Sequence, residues 1–221
     1  MRVLVACEES QAVCKAFRAR GHEAYSADIQ EPSGGHPEWH ILGDVLPLIN
    51  GYCTFTTMGG RTHRIDDTWD LLIAHPPCTY LTNAAARWLY AGHKLDADRY
   101  KKGLEGKAFF MALYNADCPK IAVENPIPSA IFELPPYSQV IQPYEFGDPY
   151  SKKTCLWLKG LPLLSATDIV VPRGCWVGAK SRNACNYEWA GKRSAKDRSK
   201  TFPGIARAMA EQWEGEDDGE R

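Results

Sequence analysis

The sequence has no long apolar run, no marked charge excess and no regularly spaced cysteines. No apolar stretch reaches the ~20 residues that cross a bilayer, and the N-terminus lacks a signal-peptide pattern, so we expect no membrane anchor. The formal net charge of -1 over 221 residues excludes a global electrostatic attraction to nucleic acid. Eight irregularly spaced cysteines in a chain of this size predict reduced thiols and a cytoplasmic location.

Glycine is missing where a phosphate-binding loop would need it. The first predicted strand, Arg2–Ala6, is followed by Cys7-Glu8-Glu9-Ser10, which contains two acids and no glycine. Such a loop offers no backbone nest and would repel a pyrophosphate, which argues against NAD. Nothing in the chain resembles a P-loop. A cofactor with a ribose, an amine and a positive sulfonium would tolerate the acids.

The order of apolar segments predicts an α/β fold with a doubly wound, mostly parallel sheet. A hydrophobic content of 44% allows the core of one domain. Strands are predicted at 2–6, 23–27, 69–74, 121–123, 154–158 and 168–171, helices at 11–20, 84–90, 98–115 and 203–213, and a hairpin or an irregular excursion within 50–68. Ser10 is the expected N-cap of the first helix.

The chain divides into a main domain over 1–164, a short insert over 165–200, a helix over 201–213 that completes the domain, and an acidic tail over 214–221. Residues 173–200 carry eight Lys or Arg against two acids, with Trp176, Tyr187 and Trp189 among them. Interleaved cations and aromatics suit single strands or nucleotides, although a solvated loop has the same composition.

Cys78 is the candidate nucleophile. The apolar strand before it stops at Pro76-Pro77, because consecutive prolines donate no ladder hydrogen bonds. Cys78 then follows just past the carboxyl end of the strand, where open α/β sheets bind ligands. The alternative is a buried structural cysteine, since free cysteine is among the most buried residue types.

Acids follow the other predicted strands and should gather at the same edge: Glu8, Asp28, Asp44 and Glu124. Cys78 and Glu124 could face each other across one pocket. A thiolate can add to C6 of a pyrimidine while a carboxylic acid donates a proton to N3. C5 then becomes electron-rich and can take a one-carbon electrophile. An acid after the second strand is placed to hold ribose hydroxyls.

In this order the motifs resemble those of the cytosine-5 DNA methyltransferases, most of all the short methylase-like proteins of phages and prophages. The nucleophile motif of that family looks like Pro77-Cys78, and its Glu-Asn-Val motif looks like Glu124-Asn125-Pro126. Its ribose-binding acid matches Asp28, and its adenine-binding acid matches Gly43-Asp44-Val45. The basic residues that the family carries on a later strand look like Lys152-Lys153. Its final motif looks like residues 202–206.

The resemblance covers about residues 1–160 and 200–213 and implies a Rossmann-like methyltransferase fold. It implies S-adenosylmethionine as cofactor, DNA as acceptor, Cys78 as the nucleophile and Glu124 as the proton donor. The cofactor-binding residues that it implies are Glu8, Asp28, Ile29, Asp44, Val45 and Pro77. The substrate-binding residues that it implies are Thr82, Asn125, Lys152 and Lys153, with no metal.

The chain also departs from the family pattern. Ala6-Cys7-Glu8-Glu9-Ser10 replaces Phe-x-Gly-x-Gly, lysines replace an Arg-x-Arg clamp, and only residues 165–200 fill the slot of a large recognition region. Three interpretations stay open. The protein methylates DNA, with a separate specificity partner as an option, or it modifies a free pyrimidine nucleotide at C5, or it is a non-catalytic relative.

Two other enzyme classes and a structural metal site fit the residues less well. A zinc deaminase would need Pro-Cys-x-x-Cys, whereas Cys78 has no second cysteine after it. An amino-methylase would show Asp/Asn-Pro-Pro-Tyr/Phe where this chain has His75-Pro76-Pro77-Cys78. Cys175 and Cys185 lack the close pairing of a structural zinc site.

Overall fold

The computed structural model describes residues 1–86, 88–91, 94–175, 188–189, 194, 197 and 199–214. The strands are β1 (Arg2–Ala6), β2 (Glu23–Asp28), β3 (His40–Leu42), β4 (Cys53–Thr56), β5 (Thr62–Ile65), β6 (Leu71–Ala74), β7 (Tyr90–Ala91), β8 (Lys94–Leu95), β9 (Ile121–Pro126), β10 (Gln139–Ile141), β11 (Tyr150–Ser151), β12 (Thr154–Lys159), β13 (Gly174–Cys175) and β14 (Glu188–Trp189). The α-helices are α1 (Ala12–Ala19), α2 (Asn83–Ala86), α3 (Ala97–Tyr114) and α4 (Pro203–Trp213).

Seven strands of the described chain form one mostly parallel sheet in the order β10-β12-β9-β6-β1-β2-β3. β3, β2, β1, β6 and β9 are parallel, and β12 is antiparallel to both of its neighbours. The chain moves outward from β1 to β3 and then returns to the other side of β1 at β6. The strand order therefore reverses between β1 and β6, and open α/β sheets bind ligands outside the carboxyl ends at such a point.

Helices cover both faces of the sheet, which explains why β6 is apolar at every position. Leu71–Ala74 is fully buried. α1 and α4 cover one face, where Phe17 and Met209 belong to the same core. α3 and the β4–β5 hairpin cover the other face, where Phe110 and Phe55 belong to a second core. The mixed α/β architecture predicted from the alternating segments is confirmed.

Two predicted elements are wrong. The helix expected over 84–90 is limited to α2, and Tyr90–Ala91 pairs with Lys94–Leu95 as an antiparallel ribbon instead. The strand expected over 168–171 is absent from this described stretch. Asp168 makes one isolated bridge with Phe146, and the apolar side chains of Ile169 and Val171 are exposed rather than buried in a sheet. The short edge strands β3 and β10 were not predicted.

Glu124 lies inside β9, whereas the sequence predicted that the strand ends just before it. The antiparallel neighbour β12 extends the pairing to the strand's last residue, with Leu156 opposite Glu124 and Thr154 opposite Pro126. Proline is tolerated at that position because it is the end of the strand. Side chains alternate along a strand, so Glu124 and Asn125 point to opposite faces of the sheet.

Part of the predicted insert and tail lies outside the described residues. β13 pairs in parallel with β11 and with β14 in a small sheet of its own. Trp176 and Tyr187, which suggested a nucleic-acid interface, are not described, and neither is 215–221. Glu214, expected as the start of a disordered tail, instead forms an ion pair with Arg20, the residue that follows α1.

The cysteine side chains in the described part of the chain are free thiols, as predicted: Cys7, Cys14, Cys53, Cys78, Cys118 and Cys155. The side chains of Cys175 and Cys185, considered above as a zinc pair, lie outside the described residues. The residues that are described contain no group of three metal-ligating side chains. In the same residues, no helix is long and apolar enough to cross a membrane.

Candidate active site

A cavity of about 790 Å³ opens at the carboxyl ends of β1, β2, β6 and β9. This is the edge where the strand order reverses, and the volume lies within the range of small-molecule sites. Ten of the site residues expected from the sequence line the cavity: Glu8, Asp28, Ile29, Asp44, Val45, Pro77, Cys78, Glu124, Lys152 and Lys153. The structure therefore brings most of the expected site into one place.

The loop between β1 and α1 is shaped by a buried carboxylate. The side chain of Glu8 accepts hydrogen bonds from the backbone N–H of Val13 at 2.6 Å and of Cys14 at 3.1 Å. It thereby fills the N-terminus of α1, where Ser10 was the expected cap. Ser10 Oγ accepts only a long bond of 3.4 Å from Ala12. Because Glu8 satisfies these N–H groups, they are not available to a phosphate, which adds to the argument against NAD.

Backbone strain accompanies this arrangement. Cys7 and Gln11, which flank the loop, both have positive φ, 59° and 57°. Left-handed backbone at a residue other than glycine costs on the order of 1 kcal/mol and persists where the surroundings impose it. Burial raises the pKa of Glu8, so this carboxyl group is an integral part of the loop. Its contact with a cofactor stays a prediction.

One end of the cavity is acidic and carries an exposed apolar side chain. Asp28 is the last residue of β2, and its Oδ1 accepts a hydrogen bond from the backbone N–H of Gln30 at 2.9 Å. Asp44 accepts one from Leu46 at 3.1 Å. Ile29 is 78% exposed, although it is a large apolar residue. Val45, which also lines the cavity, is buried. The two carboxylates are therefore held in place by local turns while facing the same space.

Two cysteines line the cavity, and their surroundings differ. Burial, with the nearby Asp28 and Asp44 carboxylates, raises the pKa of Cys7 to about 12. Burial and the Glu124 carboxylate also raise the pKa of Cys78, but the Lys152 ammonium opposes the increase. The thiolate is the nucleophilic form, and a neighbouring cation favours it. Cys78 is thus the better candidate nucleophile of the two.

Glu124 is paired with a histidine that the sequence analysis did not assign to the site. The Nδ1 atom of His75 lies 2.9 Å from Glu124 Oε2, and the two side chains are only 9% and 11% exposed. Burial alone would raise the pKa of Glu124, but Lys152 and His75 lower it below its usual value. Without a ligand, Glu124 is therefore a carboxylate rather than an acid.

The other end of the cavity is basic. Lys152, Lys153 and Lys200 line it together with Ser199 and Thr201. Lys152 is buried, and its charge acts on both Glu124 and Cys78. Lys153 is exposed at the rim. The cavity therefore changes from acidic at Asp28 and Asp44 to basic at the lysines.

Two expected substrate-binding residues do not line the cavity. Thr82 is buried, and its Oγ1 accepts a hydrogen bond from Ala85 at the start of α2. Asn125 is buried on the opposite face of β9 from Glu124, and both polar atoms of its side chain lack partners among the described residues. In the sequence the motif Glu124-Asn125-Pro126 looked continuous, but the alternation of the strand separates its side chains.

A basic and aromatic patch follows Cys78 and was also missed. Arg99 and Lys102, on the first turns of α3, place their charged groups 5.1 Å and 5.9 Å from the ring centre of Tyr80. Trp88 and Tyr90, farther along the chain, are more than half exposed. Cations and an aromatic ring therefore lie together at a place to which the sequence had given no role, while the prediction for 173–200 stays a prediction. We name Tyr80, Arg99 and Lys102 the Tyr80 patch.

Comparison with known proteins gives limited similarity. No family model matches the chain, and no curated protein matches it. One solved structure that is similar is that of a candidate DNA modification methyltransferase encoded within an E. coli prophage, with 12% identity and a TM-score of 0.43. The match covers 76% of this chain and 51% of the other, so the chain spans about half the length of that protein.

Proposed function

We propose that this protein is an S-adenosylmethionine-dependent methyltransferase that methylates cytosine at C5 in DNA. The carrying observation is that Cys78 and the buried carboxylate of Glu124 line one cavity whose far end holds Asp28 and Asp44. A thiol and a carboxyl group on neighbouring strand ends suit addition to C6 and proton donation to N3. The sheet, with its reversal of strand order between β1 and β6, supports a Rossmann-like methyltransferase fold.

The acidic end of the cavity fits the cofactor. S-adenosylmethionine, when bound, supplies an electrophilic methyl group on a positively charged sulfur. Asp28 would accept hydrogen bonds from the ribose hydroxyls, and Asp44 would accept one from the adenine amino group. Ile29, Val45 and Pro77 would contact the apolar faces of the adenosine. The carboxylates of this end match a cationic ligand and disfavour a dinucleotide.

The chemistry at the centre follows from Cys78 and Glu124. The Cys78 thiolate forms a bond to C6 of the ring while N3 takes a proton from Glu124. C5 becomes nucleophilic and forms the bond to the methyl group. A base then removes the C5 proton, the electron pair of that bond forms the C5=C6 double bond, and the C6–S bond breaks to return the thiolate. N3 gives its proton back to Glu124. Lys152 stabilises the anionic thiolate in this cycle.

The two groups are coupled through their charges. The Glu124 carboxylate raises the pKa of Cys78, so an ionised Glu124 disfavours the nucleophile. When Glu124 becomes protonated for its contact with N3, that repulsion disappears and the thiolate becomes easier to form. Substrate binding would therefore activate both the ring and the thiol at the same step.

The Tyr80 patch favours a polymer as the acceptor. Its cations and its aromatic ring follow Cys78 in the chain and are not among the residues that line the cavity. Phosphates outside the reacting nucleotide would need such additional contacts, since a mononucleotide has none. C5 modification of a free pyrimidine nucleotide is the second candidate, because Lys152, Lys153 and Lys200 line the cavity itself and could hold one nucleotide's phosphates.

Transfer of labelled methyl from S-adenosylmethionine tests the proposal. Duplex DNA, single-stranded DNA and the nucleotides dCMP and dCTP are offered in parallel, and product nucleosides are separated to locate the label. We expect label at C5 of cytosine in DNA. Label in nucleotide alone would replace the proposal with the second candidate. Absence of both transfer and cofactor binding would favour a non-catalytic relative.

Substitution of Asp28 tests the cofactor end. We expect Asp28→Ala to weaken S-adenosylmethionine binding about 10- to 100-fold, since a hydrogen bond to a charged group is worth roughly 1.5–3 kcal/mol. Calorimetric titration measures the dissociation constant. Glu31→Ala removes an exposed carboxylate three residues away and should leave the constant unchanged. Equal affinity for Asp28→Ala and wild type would remove Asp28 from the cofactor site.

Substitution in the Tyr80 patch tests the acceptor. We expect Arg99→Gln with Lys102→Gln to weaken DNA binding and to lower the slope of log affinity against log salt by about 2. The control pair Lys120→Gln with Lys159→Gln removes the same charge at the opposite edge of the sheet, where Lys159 lies 4.1 Å from the Tyr114 ring centre. Binding is measured by fluorescence anisotropy. An unchanged slope in the first variant would contradict DNA contact there.

A further inference from the structure

His75 and Glu124 are brought together by the register of the sheet. β6 and β9 are parallel neighbours, and Ala74 lies opposite Val123 in their ladder. His75 comes directly after Ala74 and Glu124 directly after Val123, so their side chains start from adjacent backbone positions. The resulting distance of 2.9 Å between Nδ1 and Oε2 is a hydrogen bond at nine-tenths burial on both sides.

The charges around His75 decide where the proton of this pair resides. Burial alone would lower the pKa of His75, but the hydrogen bond and charge of Glu124, with a further contribution from Glu8, raise it above its usual value near 6.5. Lys152 acts in the opposite direction. When the pair holds one proton, that proton therefore resides on His75 rather than on Glu124, so the acid that N3 requires is not on Glu124.

We propose that His75 stores the proton that Glu124 delivers to N3 of the cytosine. This inference rests on the proposed function and makes His75 a positioning residue that acts through Glu124. The Nδ1–H bond breaks, its electron pair stays on Nδ1, and the proton passes to the carboxylate and from there to N3. When the adduct collapses, the proton returns by the same route. Nothing besides the pair and the substrate is needed.

A second observation excludes other paths for this proton among the described side chains. His75 Nε2 is buried and has no hydrogen-bond partner among the described residues. Within that part of the chain, the ring therefore exchanges its proton with Glu124 and with no other side chain. The histidine side chain also lines the cavity, so the pair lies at the reacting centre rather than in the core.

The dependence of single-turnover methyl transfer on pH tests the proposal. In the wild type we expect the rate, divided by the thiolate fraction of Cys78 measured by iodoacetamide alkylation at the same pH, to stay constant until the pH exceeds the raised pKa of His75. It should then fall tenfold per pH unit, because the stored proton is lost. His75→Asn keeps an N–H donor near the position of Nδ1 but holds no titratable proton. Its rate at pH 8 should be about 100-fold lower, within the range of general acid catalysis. Its alkaline fall should begin at least one pH unit earlier, since Glu124 must then take its proton from water.

Controls separate this role from a structural one. His63→Asn removes a half-buried histidine that contacts Tyr25 away from the cavity, and its profile should match the wild type. Thermal melting and cofactor affinity establish that His75→Asn is folded. Free imidazole added to His75→Gly should restore part of the rate. An alkaline limb that does not move in folded His75→Asn would overturn the proposal.

NMR titration of labelled histidine gives a readout that does not depend on turnover. In the free protein we expect a His75 pKa above 6.5 that falls in Glu124→Gln. A His75 pKa at or below 6.5 in an active enzyme would overturn this inference and leave the proposed function intact. Failure of the wild type to transfer methyl to any acceptor would overturn the proposed function and, with it, the destination of the proton.

Discussion

We expect Cys78→Ala to abolish methyl transfer and to leave S-adenosylmethionine affinity within about twofold of the wild type. Without the thiol, the proposed bond to C6 would not form, so C5 of cytosine would not become nucleophilic. Loss of a covalent nucleophile removes most of an enzyme's acceleration, on the order of 10⁴-fold or more. Labelled methyl transfer under single-turnover conditions measures the rate, and calorimetry measures cofactor binding.

A covalent trap identifies the attacking atom. DNA that carries 5-fluorocytosine should form a stable adduct with the wild type. The reason is that fluorine replaces the C5 proton that a base must remove before the C6–S bond can break. Cys78→Ala should form none. Cys53→Ala, in the β4–β5 hairpin, is the matched thiol control and should behave as the wild type. An adduct in Cys78→Ala would reassign the nucleophile, with Cys7 as the next thiol in the cavity.

Glu124→Gln should change two measurable rates in opposite directions. Methyl transfer should fall about 10²- to 10⁴-fold, since glutamine cannot pass a proton to N3. Alkylation of Cys78 by iodoacetamide near pH 8 should become faster. The reason is that the Glu124 carboxylate raises the pKa of Cys78, and its removal increases the thiolate fraction.

The opposite signs separate catalysis from folding. A misfolded variant would lose methyl transfer and expose every thiol, so peptide mapping after alkylation should show the gain at Cys78 alone. Glu105→Gln, an exposed carboxylate on α3, should alter neither rate. Faster methyl transfer in Glu124→Gln, or slower alkylation of Cys78, would contradict the assigned role of Glu124.

Local chain chemistry made the position of the cavity predictable. Pro76-Pro77 ends β6 wherever it lies in the sheet, because prolines give no ladder hydrogen bonds, and Cys78 must follow. Asp28 and Asp44 come after apolar segments that parallel pairing buries, so their side chains reach the same edge. α4 begins at Pro203, which suits the first turn of a helix. These features depend on a few neighbouring residues.

Other features depended on partners that are distant in the chain. Glu8 looked like a free acid, but the N–H groups of α1 turn it into a cap. Asn125 looked like part of the site, but pairing with β12 extends β9 and directs its side chain to the opposite face from Glu124. The aromatic and basic patch occurs around Tyr80 because α3 brings Arg99 and Lys102 over its ring.

By itself, then, the sequence determined the alternation of strands and helices and the set of reactive residues at the strand ends. Periodicity, proline and local turns act over a few residues and can be read directly. Only the tertiary structure decided which of those residues meet and in what ionisation state. His75 is 49 positions from Glu124 in the chain, and the register of β6 against β9 is what makes them a pair. The state of that pair follows from burial and from the charges of Glu8 and Lys152, which no single stretch of sequence contains.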